Sequence, residues 1–410
     1  MSDSRSSQRA VIVGAGMAGV QTAVQLRERG WPGAIKLIGD ESHPPYDRPP
    51  LSKAVLLGKA EGSSFDIDFG ALDVELELGR GVTGLRTSER LVETGSGEVP
   101  YDQLVIATGA APRTLPGSED VERVHLLRTL DDAARLRPVL AARGTVLVVG
   151  AGWIGAEFAT AAREAGCAVT VVEAAGQPLP GALPAEVASH MRDWYAQSGA
   201  ELRTGVAVRT VDPGGVQLAD GTRLSADAVL VGIGSRPATG WLTGSAVELD
   251  ERGAVRADEW LRTTAPHVYA VGDCASFPSA RYGERLLVHH WDNALQGPRV
   301  VAENITAERF ADSAAERSVY DPVPYFWSEQ FGRFVQYAGH HAAEDEIVYR
   351  GDPAEAAWSV CWLRDGSLTA LLAVGRPRDL AQGRKIMERG LKVDGKVLAD
   401  AEAALKKAVK

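Results

Sequence analysis

Twice along this chain a short run of apolar residues ends in closely spaced glycines and gives way to a helical period. Arg9-Ala10-Val11-Ile12-Val13 reads as a buried strand. Gly14-Ala15-Gly16-Met17-Ala18-Gly19 follows at once, and Val20 to Arg29 then has apolar residues at Val20, Ala23, Val24 and Leu26, a helical spacing. Ile35-Lys36-Leu37-Ile38 is a second strand, ended by Gly39-Asp40. The pattern returns at Thr145-Val146-Leu147-Val148-Val149, then Gly150-Ala151-Gly152-Trp153-Ile154-Gly155, a helix over Ala156 to Ala165, and a strand from Val169 to Glu173. Both copies read strand, glycine loop, helix, strand, acid.

Each glycine in that unit has a physical task. Gly14 and Gly150 make the tight turn. Gly16 and Gly152 let a pyrophosphate approach the backbone N–H groups at a helix N-terminus, where the helix dipole favours anions. Gly19 and Gly155 let helix and strand pack closely. Asp40 stands 21 residues after Gly19 (40 − 19), with Glu41 as a competing candidate, and Glu173 stands 18 after Gly155 (173 − 155). An acid there accepts hydrogen bonds from ribose hydroxyls. Glu173 is followed by Ala174-Ala175 with no arginine at hand, so a free 2′-hydroxyl is favoured over a 2′-phosphate and the second site is expected to prefer NADH to NADPH. Two complete units predict two bound dinucleotides.

Further strands run into small-residue turns at Tyr101 to Gly109 and at Val268-Tyr269-Ala270-Val271-Gly272-Asp273-Cys274. Near the C-terminus, Trp358 to Leu363 alternates, Asp365-Gly366 reads as a hairpin turn, and Leu368 to Val374 is its partner strand. Helices are expected over about 379–390 and 397–409.

Composition narrows the class. With 410 residues the chain is long enough for two or three domains. The net charge of −10 argues against non-specific nucleic-acid binding, which needs a basic face. No apolar run is long enough to span a membrane, and the polar, Ser-rich start lacks the features of a signal peptide; a reduced, cytoplasmic setting is expected. Cys167, Cys274 and Cys361 form no C-x-x-C pair, so neither a redox dithiol nor a zinc knuckle is indicated, and Cys274 is expected to be buried packing.

Three features now combine with the glycine motifs: the segment Pro45-Tyr46-Asp47-Arg48-Pro49-Pro50-Leu51-Ser52-Lys53, the Ala107-Thr108-Gly109 and Gly272-Asp273 turns, and Phe326-Trp327-Ser328-Glu329-Gln330. Together they resemble the FAD-dependent NADH–ferredoxin reductases of bacterial oxygenase systems, the putidaredoxin reductase and rhodocoxin reductase type, over nearly the whole chain. The resemblance implies an α/β, glutathione-reductase-like fold: two Rossmann-like dinucleotide-binding domains, for FAD and NAD, plus a smaller α+β C-terminal domain. It implies a discontinuous FAD domain over 1–113 and 245–317, an NAD domain over 114–244 and a C-terminal domain over 318–410. Gly232-Ile233-Gly234 marks the return crossing, and the charged, alanine-rich 307–317 stretch a boundary.

By the same resemblance, FAD would be held by Gly14, Gly16, Gly19, Asp40, Arg48, Thr108, Gly109, Arg128 and Asp273, with Lys53 beside the flavin ring and Trp327 packed near it. NAD would be held by Gly150, Gly152, Ile154, Gly155, Glu173 and Gly234. Glu157 would face the nicotinamide carboxamide and pair with Lys53. Plainer readings stand beside these: a solvated Lys53, a surface-paired Glu157, a core Trp327, and structural roles for His289 and His290. Trp153 is larger than expected for its loop position and is a candidate gate for the nicotinamide.

The implied chemistry is hydride transfer from NADH to flavin, then release of electrons singly to an iron–sulfur ferredoxin. Three cysteines cannot hold a cluster that needs four ligands, so the acceptor must be another molecule. That ferredoxin would supply a haem-thiolate monooxygenase or a ring-hydroxylating oxygenase. Arg299, Arg333, Arg376, Arg378, Arg384, Lys385 and Arg389 make the later chain locally basic; a docking face and a merely solvated face are both open, and the resemblance places Arg299 and Lys385 near the dock. The competing functions are reduction of another acceptor (rubredoxin, monodehydroascorbate, a quinone or oxygen) and a redox-sensing interaction protein like apoptosis-inducing factor.

Overall fold

A computed structural model describes residues 8–309 and 317–410. The N-terminal residues 1–7, and 310–316 within the expected boundary, lie outside the described residues. The chain divides into two compact units: residues 1–47, 64–111 and 236–324, and residues 48–63, 112–235 and 325–410.

The first unit is built on a five-stranded sheet in the order Val268–Ala270, Gln103–Ile106, Arg9–Val13, Ala34–Ile38, Val74–Glu77. All its pairings are parallel. Arg9–Val13, Gln103–Ile106 and Val268–Ala270 are buried on both faces, with Val11, Ile12, Leu104 and Val105 fully enclosed, which is why they read as continuous apolar runs. The first strand is central, and the chain leaves it toward one side before returning to the other. That reversal puts a crevice at the carboxyl end of Arg9–Val13, where the first glycine loop lies.

The second unit repeats this plan: Glu201–Thr204, Ala168–Glu173, Thr145–Val149, Ala228–Val231, Val124–His125, again all parallel. It also contains a five-stranded antiparallel sheet, Tyr325–Gln330, Arg333–Gly339, Ser367–Val374, Trp358–Arg364, Glu346–Arg350. Asp365 and Gly366 both have positive φ, 49° and 73°, as the tight turn between its two long strands requires. Leu179, Val187, Met191 and Trp194 pack against Val335, Trp358, Val360 and Leu372 of this sheet in one apolar cluster.

These units cut across the boundaries drawn from the motifs. Arg48–Ser63, inside the expected 1–113 segment, packs in the second unit because Leu56 is buried among Leu136, Leu140, Val146 and Phe158. Residues 236–244 pack in the first unit through Trp241 and Leu242. So do residues 318–324, where the buried Tyr320 hydroxyl donates to Asn293 Oδ1 at 2.7 Å.

Near the C-terminus the structure departs from expectation. A single helix over 397–409 does not form; a five-residue helix, Gly395–Ala399, and a 3₁₀ turn, Leu405–Ala408, take its place. The reason is Arg350, whose side chain is fully buried. Its guanidinium takes the carbonyl oxygens of Leu398, Asp400 (2.9 Å) and Ala403 (2.9 Å), so these groups are committed to a side chain and not to a helical ladder. Asp379 balances the charge, accepting from Arg350 Nε at 3.2 Å, Arg376 Nε at 2.6 Å and Ser359 Oγ at 3.0 Å.

Arg350→Ala is expected to reduce unfolding free energy by about 3–5 kcal/mol, since it leaves three carbonyls without their donor and takes one of two arginines from the buried Asp379 carboxylate; urea unfolding measures it, and a loss below about 1 kcal/mol would contradict this account. A pH effect is expected in the first unit. Burial alone would raise the Glu303 carboxyl, but Arg29 at 2.7 Å and Arg299 at 3.0 Å outweigh it and hold it at about 2, below its ordinary 4.5. Its contribution to stability is therefore complete above about 4.5 and is lost as pH falls toward about 2. Thermal unfolding of Glu303→Gln across that window should show a shallower decline than the parent.

Candidate active site

Three turns meet at the carboxyl ends of three adjacent strands in the first unit. They are the Gly14–Gly19 loop, Ala107-Thr108-Gly109, and the Gly272–Cys274 turn. Their closeness explains the residues. Gly14 has φ 112°, and a Cβ there would lie 2.2 Å from the Ala107 carbonyl oxygen. A Cβ on Gly19 would lie 1.8 Å from the Gly14 carbonyl oxygen, and one on Gly272 would lie 2.9 Å from Ala18 Cβ. A Cβ on Gly16, by contrast, would meet no protein atom within 4 Å. Gly14 and Gly19 are thus required by the packing of the chain on itself, whereas Gly16 keeps open a space that the protein does not fill.

That space lies at the start of the helix Met17–Glu28, which has no side-chain cap and no acid in its first turn. Its first N–H groups are therefore left for an anion. Gly109 turns with φ 69°, and the Thr108 hydroxyl is buried with no nitrogen or oxygen partner, only the weakly accepting Cys274 thiol. Asp273 is half-buried in its turn. These features fit a dinucleotide whose pyrophosphate sits on the helix.

The second unit has the same cradle. Gly14 N–H donates to Ile38 O and Gly150 N–H to Val172 O, both at 2.8 Å. Gly150 and Gly155 would clash as their counterparts do, and a Cβ on Gly152 would reach nothing closer than 4.0 Å. The acids differ. Glu173 directly follows Val172, and its buried carboxylate accepts from Ala151 N–H and Ala175 N–H, each at 2.8 Å. The residue after Ile38 is Gly39, where a Cβ would press on Ala15 Cβ at 2.8 Å. Asp40 comes one residue later and is exposed, and Glu41 accepts from Tyr46 O–H at 2.5 Å. Ile154 is exposed at the loop, and Gly234 turns with φ 97° while its carbonyl accepts from Arg113 N–H at 2.9 Å.

A charged cluster lies in the second unit. Glu157, on the helix Trp153–Glu164, is 7% exposed. Its Oε2 accepts from Lys53 Nζ at 2.8 Å and Ser52 Oγ at 2.6 Å, and its Oε1 accepts from Ser328 Oγ at 2.9 Å. Three donors at a carboxylate this buried offset the water it has lost. Lys53 and Ser52 arrive on a 3₁₀ turn, Pro49–Ser52, whose two prolines set its start. Arg48 Nη1 donates to Arg128 O at 2.6 Å, and Arg128 is followed by Thr129, which caps the helix Leu130–Ala141. Trp327 stacks on Tyr325 with centroids 6.1 Å apart. Trp153 packs edge-on against Phe326 at 4.7 Å, so its ring rests on the antiparallel sheet. Ser52, Ser328 and Gln330 were not singled out from the sequence. The available signal was Ser328 and Gln330 themselves, two polar residues sharing one face of a strand that opens with three aromatic residues.

Residues 8–297 match the pyridine nucleotide-disulphide oxidoreductase family, and residues 325–409 match a family described as reductase C-terminal. The chain belongs to the pyridine nucleotide-disulphide oxidoreductases. It is 35% identical to the 5,5′-dehydrodivanillate O-demethylase ferredoxin reductase subunit of Sphingobium sp. (strain NBRC 103272 / SYK-6), covering 97% of each chain. It is 34% identical to rhodocoxin reductase of Rhodococcus erythropolis, covering 97% of this chain and 94% of that one. Among solved structures, the covalent putidaredoxin reductase–putidaredoxin complex matches with a TM-score of 0.91 and 32% identity over 98% of both chains. The expected fold class and family resemblance are borne out.

The disulphide in the family's description has no counterpart here. All three cysteines are free and buried. Cys274 lies 3.3 Å from Val271 O and 3.5 Å from Ile106 O, and burial pushes its thiol up. Burial pushes Cys361 up to about 12. None is placed to act as a thiolate. Among the described residues no group of side chains is arranged to hold a metal ion, and no helix is long and apolar enough to cross a membrane.

The open spaces at Gly16 and Gly152 separate folding from binding. Gly16→Ala and Gly152→Ala should keep the parent's melting temperature to within about 3 °C, because no protein atom is displaced. Gly16→Ala should weaken flavin retention and Gly152→Ala nicotinamide dinucleotide binding, each by tenfold or more by the loss of about 1.4 kcal/mol. Unchanged flavin content in Gly16→Ala would remove that residue from the site.

Proposed function

We propose that this protein is an NADH-dependent ferredoxin reductase that supplies electrons to a monooxygenase or ring-hydroxylating oxygenase. The observation that carries the reading is one chain with two complete dinucleotide cradles and no thiol able to take electrons from them. Electrons delivered by one dinucleotide to the other must then leave to a separate molecule. The relatives named as ferredoxin reductases, and the matched complex with putidaredoxin, support an iron–sulfur protein as that molecule.

In this reading the domains are those expected from the motifs: FAD on residues 1–113 and 245–317, NAD on 114–244, and 318–410 as the C-terminal domain. Bound FAD supplies the chemistry of accepting a hydride as an electron pair and giving electrons up singly. Gly14, Gly16 and Gly19 seat its pyrophosphate, Asp40 its ribose, Thr108, Gly109 and Asp273 the rest of its nucleotide and ribityl chain. Arg48, Arg128 and Trp327 complete that site. Gly150, Gly152, Ile154, Gly155 and Gly234 seat NADH, whose ribose hydroxyls take the acceptor positions of Glu173 that the Ala151 and Ala175 N–H groups leave open. A 2′-phosphate there would meet a buried carboxylate, so NADH is preferred to NADPH. Glu157 orients the nicotinamide, and Lys53 is the cation that favours a reduced, anionic flavin. A cytoplasmic location belongs to the same reading.

Several of the basic residues are engaged within the protein: Arg376 with Asp379, Arg384 over the Tyr325 ring at 4.8 Å, and Arg333 over Trp194 at 4.9 Å. Arg299 also pairs, with Glu303 at 3.0 Å, but keeps 70% of its side chain exposed, and Lys385 is exposed; these two are the contacts assigned to an acidic partner.

The test is anaerobic titration of the flavin-loaded protein with NADH, followed by a small ferredoxin, read in the visible spectrum. The expected course is bleaching of the flavin band, then its recovery as the ferredoxin is reduced, at a rate that falls with added salt. Bleaching without ferredoxin reduction would assign the protein to another acceptor, and absence of flavin would overturn the reading.

A further inference from the structure

Glu157 is surrounded by donors whose own orientation is set from behind. Ser328 and Gln330 stand two apart on Tyr325–Gln330, so both point to one side, and each is 1% exposed. Gln330 Nε2 donates to Ser328 Oγ at 3.2 Å, and the Ser328 O–H donates to Glu157 Oε1 at 2.9 Å. On the other oxygen, Ser52 donates its O–H to Oε2 at 2.6 Å beside Lys53 Nζ at 2.8 Å. Every hydrogen at this carboxylate therefore comes from a neighbour. A carboxylate offers about four acceptor positions. Two on Oε2 and one on Oε1 are taken, so the position left over is on Oε1, the oxygen that Ser328 holds.

Without Ser328 the carboxylate would be tied only through Oε2. The terminal torsion of a glutamate is broad, and an ammonium 2.8 Å away attracts both oxygens. The group would turn toward Lys53, and the free position on Oε1 would lose its direction.

We propose that Ser328 and Gln330 are positioning residues that aim the remaining acceptor of Glu157 Oε1 at the carboxamide N–H of the nicotinamide ring, and so make the site selective for dinucleotides whose ring carries an amide. The proposal rests on the assignment of Glu157 to the nicotinamide made above. A ring bearing a methyl ketone in place of the amide has no N–H to offer and leaves the buried acceptor unmatched. Selectivity in this site thus depends on a hydroxyl from the C-terminal sheet and not only on the glycine-loop domain.

The test compares dissociation constants of NAD⁺ and 3-acetylpyridine adenine dinucleotide on the flavin-loaded, oxidised protein by equilibrium dialysis, with steady-state kinetics of the reduced forms alongside. The parent is expected to prefer NAD⁺. Ser328→Ala should reduce that preference by about tenfold through weaker NAD⁺ binding, the ketone compound being little affected. KM for NADH should rise more than kcat falls, and Ser328→Thr, which keeps the hydroxyl, should retain the preference. Gln330→Met should lower it in part; if Ser328→Ala does not retain flavin, Gln330→Met decides. Equal weakening of both dinucleotides, an unchanged ratio, or a parent without preference would overturn the proposal. Glu157→Ala separates the two levels. If it keeps the parent's preference, the nicotinamide assignment of this site fails; if it abolishes the preference while Ser328→Ala and Gln330→Met keep it, only the positioning role fails.

Discussion

The closeness of backbone to backbone at the carboxyl ends of the central strands is the constraint from which both binding cradles follow. Parallel strands spaced for hydrogen bonding bring their exit turns together, and the first helix must start inside that gap. Two of the three glycines in each loop are consequences: a Cβ on Gly14 or Gly150 would fall 2.2 or 2.4 Å from a carbonyl oxygen of the neighbouring turn, and one on Gly19 or Gly155 would strike the loop's own first glycine. Only with those approaches in place do the uncapped helix N-termini stand over an open space. The middle glycine is the one whose missing side chain the protein's own packing does not require.

Much of this was legible because it is local. The strand, loop, helix and acid of each cradle lie within about 30 residues, and periodicity and glycine placement carry them. The register of the acids was not legible. Both acids were read as ribose partners despite their different distances from the last glycine, yet Glu173 immediately follows the residue that receives the loop's first N–H, and Asp40 comes one position late behind Gly39. Long-range packing was also hidden. Nothing near Arg48–Ser63 in sequence announces that Leu56 is buried against Leu136 and Phe158, and residues 48–63 read naturally as part of the first domain. The C-terminal helix failed for a similar reason. Residues 397–409 carry helical periodicity, but Arg350, some fifty positions earlier, claims their carbonyl groups.

Two of the buried charge clusters in the second unit contrast in a way that separates structure from chemistry. Around Arg350 and Asp379 the partners are backbone carbonyls, a serine and a second arginine, and the arginine itself is fully enclosed. Such an arrangement ties chain to chain. Around Glu157 the partners are three side chains from two distant segments, and Lys53 keeps 23% of its side chain exposed. A cation that keeps contact with its surroundings while its anion is enclosed can respond to what binds next to it.

Electron flow follows from what the cysteines cannot do. A flavoprotein of this family with a reactive thiol pair can pass electrons within its own chain. Here burial raises the thiols of Cys167, Cys274 and Cys361, and Cys274, the one beside the Asp273 turn, has its sulfur directed at the carbonyls of Val271 and Ile106. Thiolate formation in such surroundings is disfavoured, and with it attack on any disulfide. The second step of the reaction must therefore occur at the protein surface, with a partner that arrives, takes its electrons and leaves. In the reading proposed above, the selectivity of the enzyme divides in two: hydrogen bonds at the buried Glu157 and Glu173 would choose the donor, while exposed and salt-screened charge would govern the encounter with the acceptor.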